Sequence, residues 1–232
     1  MNAQSIGLLV CDHIHPNFRH LEDSYPFMFR RLLPNTDLIP YYVCDGQFPQ
    51  NVTDHYAYLC TGSRHSVYDD IDWVKKLTGF VKSLHHHKKK FVGICFGHQL
   101  IAHALGGRVE KAAVGWCVGI HHFEVISHQS WMTPAIAEHT NLMLCQDQVV
   151  RLPGGSEVLS KGAQCEIGMF RVGKHMLGIQ AHPEFTKAFN RAIITHRQAL
   201  IGEKRVNEAY ESLKSPLKND IIGSWILNFI NS

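Results

Sequence analysis

The chain has 232 residues, 45% of them hydrophobic and 19% charged, with a net charge of +3. That length supplies the core of one α/β domain, while the ordinary balance of apolar and charged residues excludes a disordered chain and the small charge gives no ground for a nucleic-acid partner. Seven cysteines, an odd number without a Cys-x-x-Cys pair, exclude a disulfide framework and read as reduced, buried thiols of a cytoplasmic protein, several in apolar runs (Cys11, Cys44, Cys60). No run approaches the about 18 apolar residues of a membrane helix, so no membrane partner is expected. The apolar run at 6–11 is too short for a signal peptide and lacks the basic flank of one.

That run predicts the first strand. Ser24 opens a helix over 24–33, with Pro26 in its first turn and Pro34 just past its end. Residues 38–43 and 56–60 predict the second and third strands. A helix over 70–87 follows, because Ile71, Val74, Leu77, Val81 and Leu84 recur at helical spacing. The run His85-His86-His87-Lys88-Lys89-Lys90 sits at that helix's C-terminus, where cations are favoured, and reads as a solvated face. A fourth strand ends at Ile94, and a helix over 98–105 is stopped by Gly106-Gly107. From 116 to 126 and from 142 to 179, β-type runs with glycine turns predict antiparallel strands added to a parallel core. Residues 187–232 predict two or three helices. The alternation implies an α/β fold, an open mixed, mostly parallel sheet flanked by helices with right-handed crossovers. It also implies one domain over 1–232 with a C-terminal helical extension.

Chemistry concentrates at two strand ends. In Gly93-Ile94-Cys95-Phe96-Gly97-His98-Gln99, two glycines flank a cysteine on a sharp turn between strand and helix. This is the spacing of a nucleophile elbow, where a side chain on either flank has no room. A thiol at a helix N-terminus favours its thiolate. The second segment, Ala181-His182-Pro183-Glu184-Phe185, follows the apolar run Leu177-Gly178-Ile179-Gln180. On an extended backbone His182 and Glu184 project to one side, so Glu184 is placed to orient an imidazole that serves Cys95. Sites of open α/β sheets gather beyond such strand ends. His13-x-His15 and Cys95-x-x-His98 have metal-ligand spacing, but no further ligands cluster around them, so no metal is expected. Trp116 and Trp225 read as packing residues.

These segments resemble the class I, or triad, glutamine amidotransferases, above all the glutaminase half of GMP synthase and standalone proteins like it. Cys60-Thr61-Gly62-Ser63-Arg64-His65-Ser66-Val67-Tyr68-Asp69 is similar to the family's oxyanion loop, and Asp147-Gln148-Val149-Val150-Arg151-Leu152-Pro153 to a fourth family segment. The four occur in the family's order. The resemblance implies a flavodoxin-like sheet and a triad of Cys95, His182 and Glu184. It implies oxyanion donors at the backbone amides of Phe96 and Ser63, beside Gly62, and a substrate-holding role for Gln99. The implied reaction is hydrolysis of glutamine to glutamate and ammonia through a γ-glutamyl thioester on Cys95, without cofactor, and with a separate synthase subunit as the ammonia acceptor. A γ-glutamyl peptidase acting on glutathione-like substrates would use the same residues, and a catalytically silent binding module is the remaining alternative. Two departures stand out. The family loop usually reads Gly-Gly-Pro where this chain has Gly62-Ser63-Arg64, and GMP synthases carry a histidine where it has Cys145. A side chain at Ser63 restricts the backbone flip that glycine would allow.

Overall fold

The computed structural model describes residues 5–232. In chain order, β1 (Ile6–Val10) is followed by α1 (Tyr25–Leu32), β2 (Leu38–Tyr42), β3 (Ala57–Cys60), α2 (Asp72–His86), β4 (Lys90–Ile94) and α3 (Phe96–Ala104). Then come β5 (Arg108–Lys111), β6 (Cys117–Val125), β7 (Glu138–Cys145), β8 (Asp147–Arg151), β9 (Ser156–Gly162), β10 (Cys165–Val172) and β11 (Met176–Ile179). The chain closes with α4 (Lys187–His196), α5 (Gln198–Ile201), α6 (Glu203–Ser212) and α7 (Asn219–Asn231).

Among the described residues, nine strands form one sheet in the order β2-β1-β3-β4-β11-β10-β9-β6-β7, while β5 and β8 pair apart from it. From β2 to β11 the neighbours are parallel. From β11 to β7 they are antiparallel. This is the mixed, mostly parallel, helix-flanked sheet that the alternation implies. The central strands β1, β3 and β11 are buried at every residue, as a parallel sheet covered on both faces demands. Pro40 lies in β2 at the sheet edge, where a missing N–H costs no ladder bond.

Two apolar layers cover the sheet. One face packs α2 and α3 residues such as Leu77, Val81 and Leu100 against Leu9, Tyr58 and Phe91. The other packs α1, α4 and α7 residues such as Phe29, Phe189 and Trp225 against Leu8, Val92 and Ile179. Trp225 is completely buried, and its indole N–H donates to the Pro134 carbonyl at 2.9 Å, which satisfies the one polar atom such a ring carries inside. Ser24 caps α1 by accepting from the Phe27 amide at 3.3 Å, as its position before Pro26 suggests.

Three expectations need correction. The helix after the elbow begins at Phe96 rather than at residue 98, because the turn is tighter than the glycine spacing alone conveys. The C-terminal segment breaks into four helices rather than two or three. Arg197 leaves helical geometry between α4 and α5, and Gly202, at φ 89°, separates α5 from α6. Cys44 is half-buried, unlike Cys11 and Cys60.

Candidate active site

The carboxyl ends of β1, β3, β4 and β11 meet at one rim of the sheet, and the residues singled out in the sequence collect there. Cys95 caps α3 with φ 50° and ψ −97°. A non-glycine residue in that region stores strain of order 1–3 kcal/mol, and surrounding structure must hold it there. The flanking glycines provide the hold. A β-carbon at Gly93 would lie 2.2 Å from the Gly97 carbonyl oxygen, and one at Gly97 would lie 2.9 Å from the Cys60 carbonyl oxygen. Neither position tolerates a side chain, so α3 starts directly against β3 and β4 and the thiol stands at its N-terminus.

His182 is buried just past β11. Its amide donates to the Leu142 carbonyl on β7 at 2.8 Å, and its ring stacks on Phe185 with centroids 4.0 Å apart. The Nδ1–H donates to Glu184 Oε1 at 2.7 Å. The two-residue spacing thus delivers the contact it suggested. Glu184 is itself held from another layer. Arg31 of α1 donates to the Glu184 carbonyl at 3.0 Å and makes a two-pronged pair with Glu22, both bonds 2.8 Å. The sequence offered no signal for that clamp, since Arg31 lies 153 residues from Glu184.

The electrostatics follow the contacts. The Cys145 thiol hydrogen-bonds to Cys95 sulfur and favours its thiolate, and the charged ring of His182 adds to this against the cost of burial, so Cys95 falls to about 5. Cys145 is pushed well above an ordinary thiol by the same bond and by burial, and it remains the donor. Burial opposes the imidazolium of His182, but the Glu184 carboxylate and the Cys95 thiolate outweigh it and lift the ring to about 10. The pair therefore rests as thiolate and imidazolium.

Around this pair lies an open cleft of about 240 Å³, lined in part by Ser63, Cys95, Gln99, Cys145 and Asp147. Gly62 faces the pair from the loop after β3. Ser63 Oγ donates to the Cys11 carbonyl at 3.0 Å and accepts from the His65 amide at 3.2 Å, so the loop is tied to the end of β1. Gln99 is buried rather than a surface helix residue. It donates to the Asp147 carbonyl at 2.7 Å and to Gln180 Oε1 at 3.2 Å. Asp147 in turn accepts from Ser66 Oγ at 2.5 Å and from the Tyr68 hydroxyl at 3.0 Å. Phe96 turns its ring into the core against Trp73 at 5.6 Å and leaves only its backbone at the elbow.

Other expectations sort differently. Trp225 is core, but Trp116 lines the cleft. His98 packs edge-on to Phe170 at 4.8 Å, and burial lowers it to about 3; it belongs to the core rather than to Cys95. Among the described residues, one group has metal-ligand proximity, and it joins His13 to Cys44 and Asp45 rather than to His15.

The family model for glutamine amidotransferase class-I matches residues 61–199. Gamma-glutamyl peptidase 3 of Arabidopsis thaliana is 35% identical over 153 residues, 62% of this chain and 61% of that protein. The chain thus spans about three fifths of that relative's length. Gamma-glutamyl peptidase 2 of the same plant is 30% identical over 181 residues, 74% of this chain and 72% of the other. A GMP synthase of Aeropyrum pernix is 28% identical over 134 residues, 54% of this chain and 26% of the synthase. In fold, a glutamine amidotransferase from Thermotoga maritima superposes with a TM-score of 0.75 at 18% identity, covering 98% of this chain and 96% of that one.

Proposed function

Because the chain belongs to the class I glutamine amidotransferase family, we propose that it is a cysteine-dependent hydrolase of γ-glutamyl amides, with Cys95 as nucleophile, His182 as acid and base, and Glu184 orienting the imidazole. The observation that carries this reading is a thiol on a strained elbow, beside a histidine whose Nδ1 is held by a buried carboxylate at 2.7 Å. A silent binding module has no use for that strain.

The thiolate attacks the side-chain carbonyl carbon of the γ-glutamyl group. The oxyanion meets the Phe96 amide, free at the start of α3, and the Ser63 amide on the tethered loop. His182 gives its proton to the departing amine, the C–N bond breaks, and a thioester remains on Cys95. His182 then takes a proton from water, hydroxide displaces the sulfur, and glutamate leaves. Asp147 offers a carboxylate to the substrate's α-ammonium. Lys111, opposite Asp147 in the β5–β8 register and on the wall of the cleft, offers a cation to its α-carboxylate. Gln99 holds the Asp147 backbone in place.

The two relatives named γ-glutamyl peptidases, and an open cleft, favour a γ-glutamyl peptide over free glutamine as substrate. Similarity to a GMP synthase keeps glutamine, with a separate synthase as ammonia acceptor, as the competing reading. A cytoplasmic setting is part of the proposal, in keeping with a thiolate nucleophile; no described helix is long and apolar enough to cross a membrane. Incubation of the purified protein with glutamine and with γ-glutamyl dipeptides tests the choice. Glutamate release from the dipeptides that exceeds ammonia release from glutamine supports the peptidase, and the reverse ranking supports the glutaminase. No release from either, or equal release by Cys95→Ser, ends the proposal.

A further inference from the structure

Beyond the cleft that holds Cys95 lies a second cavity of about 180 Å³. The two share Arg64 and Arg197 on their walls. The second cavity is floored by the buried side chains of Phe18, Phe189 and Ile193. A substrate whose reactive carbonyl sits at Cys95 therefore has somewhere to extend, into a space with an apolar floor and two guanidinium groups at its entrance.

The two arginines are not equivalent. Arg64 is neutralised by Asp12, with Nη2 2.7 Å from Oδ1 and Nε donating to both carboxylate oxygens at 2.9 Å. Arg197 has no carboxylate partner and no side-chain hydrogen bond among the described residues, and it lies 5.9 Å from the ring of Trp116. A half-buried guanidinium left without an anion, between the nucleophile and a cavity whose floor is apolar and whose walls also carry His13, His15 and His196, is a site for a carboxylate that arrives with a ligand.

We propose that Arg197 binds the carboxylate of the leaving group, so that the enzyme selects γ-glutamyl peptides whose amine-side residue has a free carboxylate and an apolar side chain seated over Phe18, Phe189 and Ile193. This rests on the reading of Cys95 as the nucleophile. Ammonia has neither group, and glutamine leaves the second cavity empty.

The test compares γ-glutamylphenylalanine with γ-glutamylphenylalaninamide, which differ only in the leaving-group charge. Wild-type kcat/KM should favour the free acid by at least about tenfold, the scale of a charge-assisted pair. Arg197→Gln should bring that ratio close to one, and Arg197→Lys should keep part of it, with thermal unfolding confirming that both variants fold. A wild-type enzyme without preference overturns the inference. So does an Arg197→Gln variant that loses acid and amide by the same factor, because Arg197 would then serve the glutamyl head or the fold. Wild-type protein that releases no glutamate from either compound fails at an earlier point, in the reading of Cys95 itself.

Discussion

A β-carbon on Gly62 would lie 2.8 Å from Cε1 of His182 and 3.7 Å from Cβ of Cys95. The loop after β3 is thus packed against both Cys95 and His182, and the absence of a side chain is what lets the imidazole stand where it does. Gly62→Ala should displace the ring by a few tenths of an ångström or more while the sheet beneath is untouched. We expect turnover to fall by about 10²-fold, the scale of a small misplacement of reacting groups. The thermal midpoint should move little. Wild-type kinetics in this variant would mean that the ring is not held by the loop.

Cys95→Ser should lose at least about 10³-fold in turnover, because an alcohol in place of a thiol with this lowered pKa is a poor nucleophile. Circular dichroism should report an intact fold, since the serine fits the space of the thiol. Steady-state glutamate release reads the loss, and residual activity near wild type removes Cys95 from the chemistry.

The ion pair sets the pH profile. Cys95 must be deprotonated and His182 protonated in the resting enzyme. As pH falls through about 5 the thiolate is lost, and as pH rises through about 10 the imidazolium is lost. Activity should therefore be flat between these limits and decline on both sides, the two limbs belonging to the pair rather than to either group alone. An acid limb near the 8–9 of an ordinary thiol would contradict the contact with Cys145 and His182.

Glu184→Gln should lower kcat more than it raises KM. The amide still reaches the imidazole but cannot stabilise its charge. The loss should be on the order of 10²-fold, smaller than for Cys95→Ser, because Phe185 stacking and the Leu142 contact still orient the ring. The alkaline limb should also move down in pH, since the carboxylate is a chief cause of the raised His182. An unmoved limb and unchanged rate would leave a dyad without Glu184.

Near neutral pH, iodoacetamide should label Cys95 before the other six cysteines. Cys11, Cys44, Cys145 and Cys165 are all raised by their surroundings, whereas Cys95 is the one thiol that is lowered. Peptide mass mapping after brief exposure checks the order, and earlier labelling of Cys44, the half-buried thiol, would argue that access outweighs ionisation.

The strands and helices that lead to the site could be read from the chain because their signals are local. Pro26 behind Ser24 announced α1, and apolar runs announced β1, β3, β4 and β11. The elbow was legible because three adjacent requirements, two missing side chains and a thiol, fall within five residues. What could not be read is what reaches across the fold. Arg31 meets Glu184 only after α1 packs on β1 and β2, and Cys145 meets Cys95 only after β7 pairs with β6 at the far edge of the sheet. Trp116 and Arg197 have no periodicity or motif that separates a cleft wall from a packed helix face. The breaks at Arg197 and Gly202 depend on how the C-terminal helices settle over β6 and β7, and sequence spacing in that segment is continuous.

The hydroxyl of Ser63 has a consequence of its own. A glycine at this position would leave the loop a choice of peptide orientations, and some other event would have to select one at the time of reaction. Here the bond to the Cys11 carbonyl and the bond from the His65 amide remove that choice when β1 and β3 pair, so the entropy of ordering the loop is surrendered during folding and not in each catalytic cycle. A chain organised in this way should work at full rate by itself, showing neither a lag on mixing with substrate nor a demand for a second protein to set the loop.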